Sequence, residues 1–95
     1  MPAYIVVEVT VKDPEKYRDY RAMVPPTLEA YGGKFLIRGG HTEQLEGDRL
    51  PGRFVVIEFE NSERAKAWLN SDEYRDARAL RHATAETNMF VVEGV

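Results

Sequence analysis

The sequence predicts an α+β fold with the element order strand, helix, strand, strand, helix, strand. Segments in which β-branched and apolar residues alternate with others open the 95-residue chain, close it and occupy its centre. Two further segments carry apolar residues three and four positions apart, as amphipathic helices do. A chain of this length has room for one hydrophobic core, so we expect a single domain over residues 1–95.

The first strand and the first helix have clear boundaries. Residues 3–11, AYIVVEVTV, alternate in character, and Asp13 and Pro14 follow as an N-cap and a first helical position. Pro25 and Pro26 lack the amide proton that a helix needs, so we expect a kink or a restart near Thr27. The first strand presents two sets of side chains to opposite sides: Ile5, Val7 and Val9, and Tyr4, Val6 and Glu8.

Glycines mark the turns around the central strands. Gly32 and Gly33 are typical of a helix C-cap followed by a turn. Residues 34–38 and 53–59 alternate as the second and third strands, and the glycine-rich stretch between them predicts a hairpin connection.

The second helical region has two capping signals. Asn61 or Ser62 can cap its beginning, and Ser71 offers a fresh cap, which predicts two separate segments. Residues 88–94 form the fourth strand. Right-handed crossovers then place the first and third strands in the middle of a four-stranded antiparallel sheet, which is the ferredoxin-like arrangement.

In such a fold the helices cover one face of the sheet and leave the other face open. A largely apolar open face seldom stays in water, so we expect a homodimer through it. Alternation assigns to this face Tyr4, Val6, Glu8, Leu36, Arg38, Phe54, Val56 and Glu58.

Four blocks carry a resemblance to a known family. They are YGGKFLIRGG, LEG, RFVVIEF and AKAWLNSDEY, and together they resemble the short bacterial proteins of domain-of-unknown-function family 1330. That family belongs to the dimeric α+β-barrel superfamily, so the resemblance implies two ferredoxin-like subunits packed sheet against sheet. It implies no activity, because superfamily members include cofactor-independent monooxygenases, isomerases, haem-degrading oxygenases and stress-responsive proteins.

Composition excludes several classes of function. A net charge of −3 argues against nucleic acid, and no apolar run is long enough for a membrane span, so we expect a cytoplasmic protein. The chain has no cysteine and two histidines far apart, and it contains no phosphate-binding or dinucleotide motif, so we expect neither metal nor cofactor. Arginines at helical spacing, interleaved with acidic residues, predict a solvated helix face at Arg75, Arg78 and Arg81.

Arg38 is the first candidate binding residue. It ends the second strand beside Gly39 and Gly40, where a ligand can approach closely, and its guanidinium suits a carboxylate. The alternative is an ion pair with Glu8 or Glu58 at the dimer seam.

The remaining candidates lie in the hairpin connection and in the helices. His41 and Glu46 are candidate catalytic residues for proton transfer, and Arg53 is a candidate for substrate binding or for pairing with Glu46. Tyr20 and Tyr74 are expected to position a substrate in a pocket between helices and sheet.

Two hypotheses about function remain open. In the first, the protein is a cofactor-independent enzyme that acts on a small organic acid or carbonyl compound. In the second, it is a dimeric metabolite-binding or stress-related accessory protein that leaves its ligand unchanged. The sequence does not decide whether the protein is an enzyme.

Overall fold

The computed structural model describes residues 1–95 and contains four strands and three helices. The predicted α+β, ferredoxin-like architecture is confirmed, with one four-stranded antiparallel sheet in the order β2-β3-β1-β4. In chain order the elements are β1 (Ala3–Val11), α1 (Pro14–Glu29), β2 (Lys34–Arg38), β3 (Arg53–Phe59), α2 (Ser62–Leu69), α3 (Asp72–Thr84) and β4 (Ala85–Glu93). No helix is both long enough and apolar enough to cross a bilayer.

The predicted helix caps form as the sequence indicates. The Asp13 side chain accepts a hydrogen bond from the Lys16 amide, and Asn61, rather than Ser62, caps α2. Ser71 accepts a hydrogen bond from the Tyr74 amide and starts α3, so the second helical region is indeed divided. Each cap satisfies an amide that the first helical turn leaves without a partner.

The predicted restart of the first helix is wrong, because α1 is continuous from Pro14 to Glu29. Each internal proline removes one hydrogen bond, and Pro25 and Pro26 remove those to the neighbouring carbonyls of Arg21 and Ala22. Both prolines lie on the exposed side of the helix, whereas Val24 and Leu28 pack into the core on the other side. Packing of this buried face holds the helix together across the missing bonds.

The helices cover one face of the sheet and enclose the core with it. Three side chains of β1, Ile5, Val7 and Val9, are buried there, as the alternation predicts. Trp68 and Tyr74 are the largest fully buried side chains of the helical layer, and their ring centroids lie 4.1 Å apart. The core therefore fills the space between the sheet and all three helices.

The other face of the sheet has no covering element. Tyr4 and Val6 of β1 lie opposite Val92 and Phe90 of β4, and Phe90 and Val92 are about half exposed. On the other side of β1, Val6 lies opposite Val56 of β3. β4 begins three residues earlier than predicted, directly after α3, so this edge strand pairs with β1 along the whole length of β1.

A β-bulge in β2 places Arg38 on the face of the sheet opposite to the one predicted for it. Phe35 pairs with Ile57 and Ile37 pairs with Val56, so Leu36 is an extra residue without a partner. Arg38 consequently pairs with Val55, a buried residue of the helix-covered face. The predicted position of Arg38 on the open face is wrong, because a bulge reverses the alternation of every residue that follows it.

Candidate functional site

A cavity lies between α1 and the covered face of the sheet. Its floor consists of apolar side chains of β1 and β3, and Trp68 and Tyr20 belong to its walls. The cavity is small. The centre of a water molecule can occupy about 30 Å³ of it, whereas its total empty volume, which includes the open mouth, is about 420 Å³. A ligand larger than a few water molecules therefore has to occupy the mouth or displace side chains.

Four arginines line this space, and we call it the arginine cavity: Arg21, Arg38, Arg53 and Arg81. None of them forms an ion pair. The two salt bridges of the chain are Lys12–Glu86 and Arg75–Asp72, both on the surface. A partly buried cation without a nearby carboxylate is unfavourable, so the cavity carries uncompensated positive charge.

Arg38 is held above the sheet by two contacts. Its Nη2 donates a hydrogen bond of 2.6 Å to the main-chain carbonyl of Arg21, and its Cζ lies 4.3 Å from the centre of the Phe35 ring. Burial, followed by the charges of Arg21 and Arg53, lowers the pKa of Arg38 from its ordinary value. The predicted alternative, an ion pair with Glu8 or Glu58, is wrong because both carboxylates belong to the open face.

Arg53 extends from the start of β3 towards α1. Its Cζ lies 5.9 Å from the centre of the Tyr17 ring, and its buried Nε has no hydrogen-bond partner within the chain. A Cβ at Gly39, whose φ is 72°, would collide with the Arg53 guanidinium. Gly39 therefore serves both the turn and the close approach of Arg53, and the predicted pairing of Arg53 with Glu46 does not form.

Arg81 is the most deeply buried arginine, with 4% of its surface exposed. Its Nη1 donates a hydrogen bond of 2.6 Å to the Thr87 hydroxyl, and its Nε has no partner within the chain. The predicted solvated face holds for Arg75 but is wrong for Arg81. A signal was present in the sequence, because Arg81 shares one helical face with Tyr74, Ala77 and Thr84, at spacings of three and four residues.

Tyr20 and Tyr74, the two tyrosines expected to position a substrate, contact each other. Their hydroxyl oxygens lie 2.7 Å apart, and either can donate to the other. Burial, reinforced by the neighbouring Tyr74, raises the pKa of Tyr20 far above its ordinary value, so the phenol stays protonated at neutral pH. Tyr20 lines the arginine cavity, whereas Tyr74 lies behind it and supports it.

His41 and Glu46 are not brought to this cavity. Both are exposed in the connection between β2 and β3, and Glu46 lines a separate shallow depression with Leu45 and Leu50. Their role in proton transfer stays a prediction. The chain also has no cluster of three or more histidine, aspartate or glutamate side chains suited to a metal ion.

Solved structures show how widely this fold is shared. A protein of unknown function from Rhodopseudomonas palustris, RPA0582, superposes with a TM-score of 0.80 at 19% identity, over 99% of this chain and 82% of the other. SnoaB, a cofactor-independent oxygenase from Streptomyces nogalater, superposes with a TM-score of 0.61 at 14% identity, over 99% and 93%. Rv0793 from Mycobacterium tuberculosis gives 0.61 at 10% identity, over 100% and 96%.

At these identities the likeness establishes the fold alone, an α+β fold with one four-stranded antiparallel sheet. No curated protein matches the sequence. The family model for a domain of unknown function, DUF1330, matches residues 2–95. The resemblance seen in the four sequence blocks is thereby confirmed, and the chain belongs to the DUF1330 family.

Proposed function

We propose that the protein binds a small organic acid or carbonyl compound in the arginine cavity and acts on it as a cofactor-independent enzyme. The observation that carries this proposal is the convergence of four arginines on one cavity in the absence of any carboxylate partner. A bound carboxylate or enolate would supply the missing negative charge through charge-assisted hydrogen bonds.

The cavity residues have different roles in binding. Arg38 and Arg53, together with Arg81, hold the anionic group, and the apolar floor contacts the carbon skeleton. Tyr20, kept protonated by its surroundings, donates a hydrogen bond to a ligand oxygen, while Tyr74 orients its hydroxyl. Donors fixed in advance around a developing enolate are a common means of stabilising it.

The comparison with SnoaB indicates which activity to test first. That protein is a cofactor-independent oxygenase with the same fold, and the residues of the arginine cavity offer anion stabilisation without a cofactor. Molecular oxygen should therefore be present in the first turnover assays. Because the likeness at 14% identity concerns the fold, the assay has to establish the reaction independently.

One observation favours the second hypothesis, a binding protein that leaves its ligand unchanged. The titratable groups of the cavity wall are arginines and tyrosines, and no carboxylate or imidazole is among them. Neither kind of group accepts a proton readily at neutral pH. A metabolite-binding or stress-related accessory protein needs affinity alone, which such a cavity supplies.

Binding is tested with matched ligands. We expect small apolar carboxylates to bind at least about 10-fold more tightly than the corresponding neutral amides, because a hydrogen bond to a charged group contributes about 1.5–3 kcal/mol. Trp68, the single tryptophan, belongs to the cavity wall and reports binding through its fluorescence. Equal affinity for acids and amides would contradict the proposal.

Variants assign the binding to particular residues. Arg38→Gln and Arg53→Gln should each weaken carboxylate binding by about 10-fold or more, whereas Arg75→Gln, on the surface, should leave it unchanged. His41→Ala and Glu46→Ala should leave affinity unchanged and test the predicted proton transfer through turnover. Mass spectrometry of the ligand after aerobic incubation separates the two hypotheses, since a binding protein returns it intact.

A homodimer through the open face and a cytoplasmic location complete the proposal. Apolar side chains of three strands, among them Val6, Val56 and Phe90, support the dimer because a monomer would expose them to water. Native mass spectrometry gives the subunit number and shows whether a small acid is retained. Cell fractionation tests the location.

A further inference from the structure

The two prolines inside α1 each free a carbonyl one turn earlier in the helix. A backbone amide at position 25 would donate to the carbonyl of Arg21, and one at position 26 would donate to that of Ala22. Pro25 and Pro26 have no amide proton, so neither bond forms. The two freed carbonyls are adjacent in sequence, but they have different surroundings.

The carbonyl of Arg21 receives its hydrogen bond from Arg38 instead. The guanidinium Nη2 lies 2.6 Å from this oxygen, a short distance typical of a charged donor. No side chain of the protein donates to the carbonyl of Ala22, an exposed residue. Pro25 therefore leaves to Arg38 a carbonyl that no helical amide shares, and Pro26 frees a carbonyl that no side chain uses.

This contact orients Arg38 without neutralising it. A guanidinium has five N–H donors, and the carbonyl takes one of them, which leaves the others for an anion. A carboxylate in the place of the carbonyl would fix the side chain equally well, but it would cancel the positive charge. The nearest charges, those of Arg21 and Arg53, are also positive, so a neutral acceptor is the one that keeps the site attractive to an anion.

We infer that Pro25 is a positioning residue of the anion-binding site: it frees the Arg21 carbonyl, and that carbonyl holds Arg38 in the orientation in which it meets the ligand. The inference extends the proposed function, and the effect that it predicts on ligand affinity rests on that function. It also accounts for a residue that is unfavourable inside a helix. Pro26 is also an exposed proline inside α1, but the carbonyl that it frees accepts no hydrogen bond from Arg38.

The closing experiment compares Pro25→Ala with Pro26→Ala. Both substitutions restore a helical amide on the exposed side of α1, so both should raise the melting temperature. In Pro25→Ala alone, the new amide competes with Arg38 for the Arg21 carbonyl. Nitrogen-15 NMR of the arginine side chains, recorded without ligand, should show restricted rotation of the Arg38 guanidinium in the wild type and in Pro26→Ala, and faster rotation in Pro25→Ala.

Affinity for a small carboxylate provides the second readout. We expect Pro25→Ala to weaken binding by about 5-fold, which is the loss of one ordinary hydrogen bond, and Pro26→Ala to change it by less than about 2-fold. In the Arg38→Gln background, Pro25→Ala should have no further effect. This coupling distinguishes positioning of Arg38 from a general effect on the helix.

The two readouts separate the inference from the function on which it rests. If no carboxylate binds to any variant but the NMR contrast between the two alanine variants is present, the positioning role stands and the proposed ligand class is wrong. If Arg38 rotates equally in the wild type, Pro25→Ala and Pro26→Ala, the inference is overturned, whatever the protein binds.

Discussion

The two faces of the sheet are formed by the same strands, but they carry different side chains and suit different partners. The covered face combines an apolar floor with four arginines and no acidic partner, whereas the open face combines apolar side chains with Glu8 and Glu58. Charge on the covered face lines a small cavity between α1 and the sheet. On the open face the apolar surface is broad and suits a flat partner. The difference shows that what a charged residue can bind depends more on the face of the sheet where it lies than on the type of residue.

The bulge in β2 determines on which face of the sheet Arg38 lies. With Leu36 as an extra residue, Arg38 lines the arginine cavity; in a regular strand it would lie on the open face, which carries Glu8 and Glu58. The same guanidinium would then form an ordinary ion pair. A single unpaired residue therefore determines whether the positive charge is available to a ligand.

The largest effect is expected on the open face. Phe90→Asp places a carboxylate on the open face, within the proposed dimer interface, and should raise the dimer dissociation constant by about 100-fold or more, because the charge has to be buried without a partner. Analytical ultracentrifugation over a range of concentrations measures this change.

Met23→Asp provides the matched control for the open face. Met23 is similarly exposed but lies on α1, on the opposite side of the molecule, and its substitution should leave association unchanged. Equal dissociation constants for the wild type and Phe90→Asp would contradict the assignment of the open face as the interface.

The next effect concerns the tyrosine pair beneath the covered face. Tyr20→Phe leaves the fully buried Tyr74 hydroxyl without a partner and should lower the free energy of unfolding by about 1–3 kcal/mol. The double variant Tyr20→Phe/Tyr74→Phe should be less destabilised than the sum of the single variants. Urea denaturation of all four proteins measures the coupling, and simple additivity would show that the hydroxyls do not stabilise each other.

Substitution of Arg81 tests whether this arginine favours ligand binding but lowers the free energy of unfolding. Arg81→Met removes a buried charge that no carboxylate compensates, so it should raise the free energy of unfolding by about 1–2 kcal/mol while weakening carboxylate binding. Arg75→Met, on the surface, should change stability by less than about 0.5 kcal/mol. A loss of stability in Arg81→Met would instead assign Arg81 to holding β4 through Thr87.

The smallest effect should appear at His82, next to Arg81. Burial, followed by the charges of Arg81 and Arg78, lowers the pKa of His82 in the folded protein below its ordinary value of 6.5. As the pH falls from 7 to 5, the unfolded chain takes up this proton first, so the folded state loses stability. The loss should be small because the side chain is largely exposed, and His82→Gln should lack it in melting curves recorded over this range.

Local signals in the sequence identify most of the fold. Asp13, Asn61 and Ser71 cap helices because their side-chain oxygens satisfy nearby amides, and this depends on neighbouring residues alone. The strands of the core follow from their period of two. The continuity of α1 across Pro25 could not be predicted, because packing of the opposite helix face overrides the local preference of the prolines.

The candidate site was harder to predict for a related reason. The position of Arg38 depends on a bulge, which arises from pairing between strands and leaves no mark in the alternation of KFLIR. The burial of Arg81 depends on how α3 packs over β4, although its helical spacing indicated the buried side. The sequence predicted a place between helices and sheet for Tyr20 and Tyr74, but it did not indicate the contact between their hydroxyl groups, which depends on how α1 packs against α3.

The bulge at Leu36 also determines how the length of β2 can vary among relatives. Deleting Leu36 would give an unbroken ladder in which Ile37 still pairs with Val56 and Arg38 still pairs with Val55. Deleting any other residue would require the bulge to move or the strand to slip. An alignment of DUF1330 proteins should therefore tolerate a one-residue gap at this position, and members with the shorter strand should keep the arginine that faces the helices.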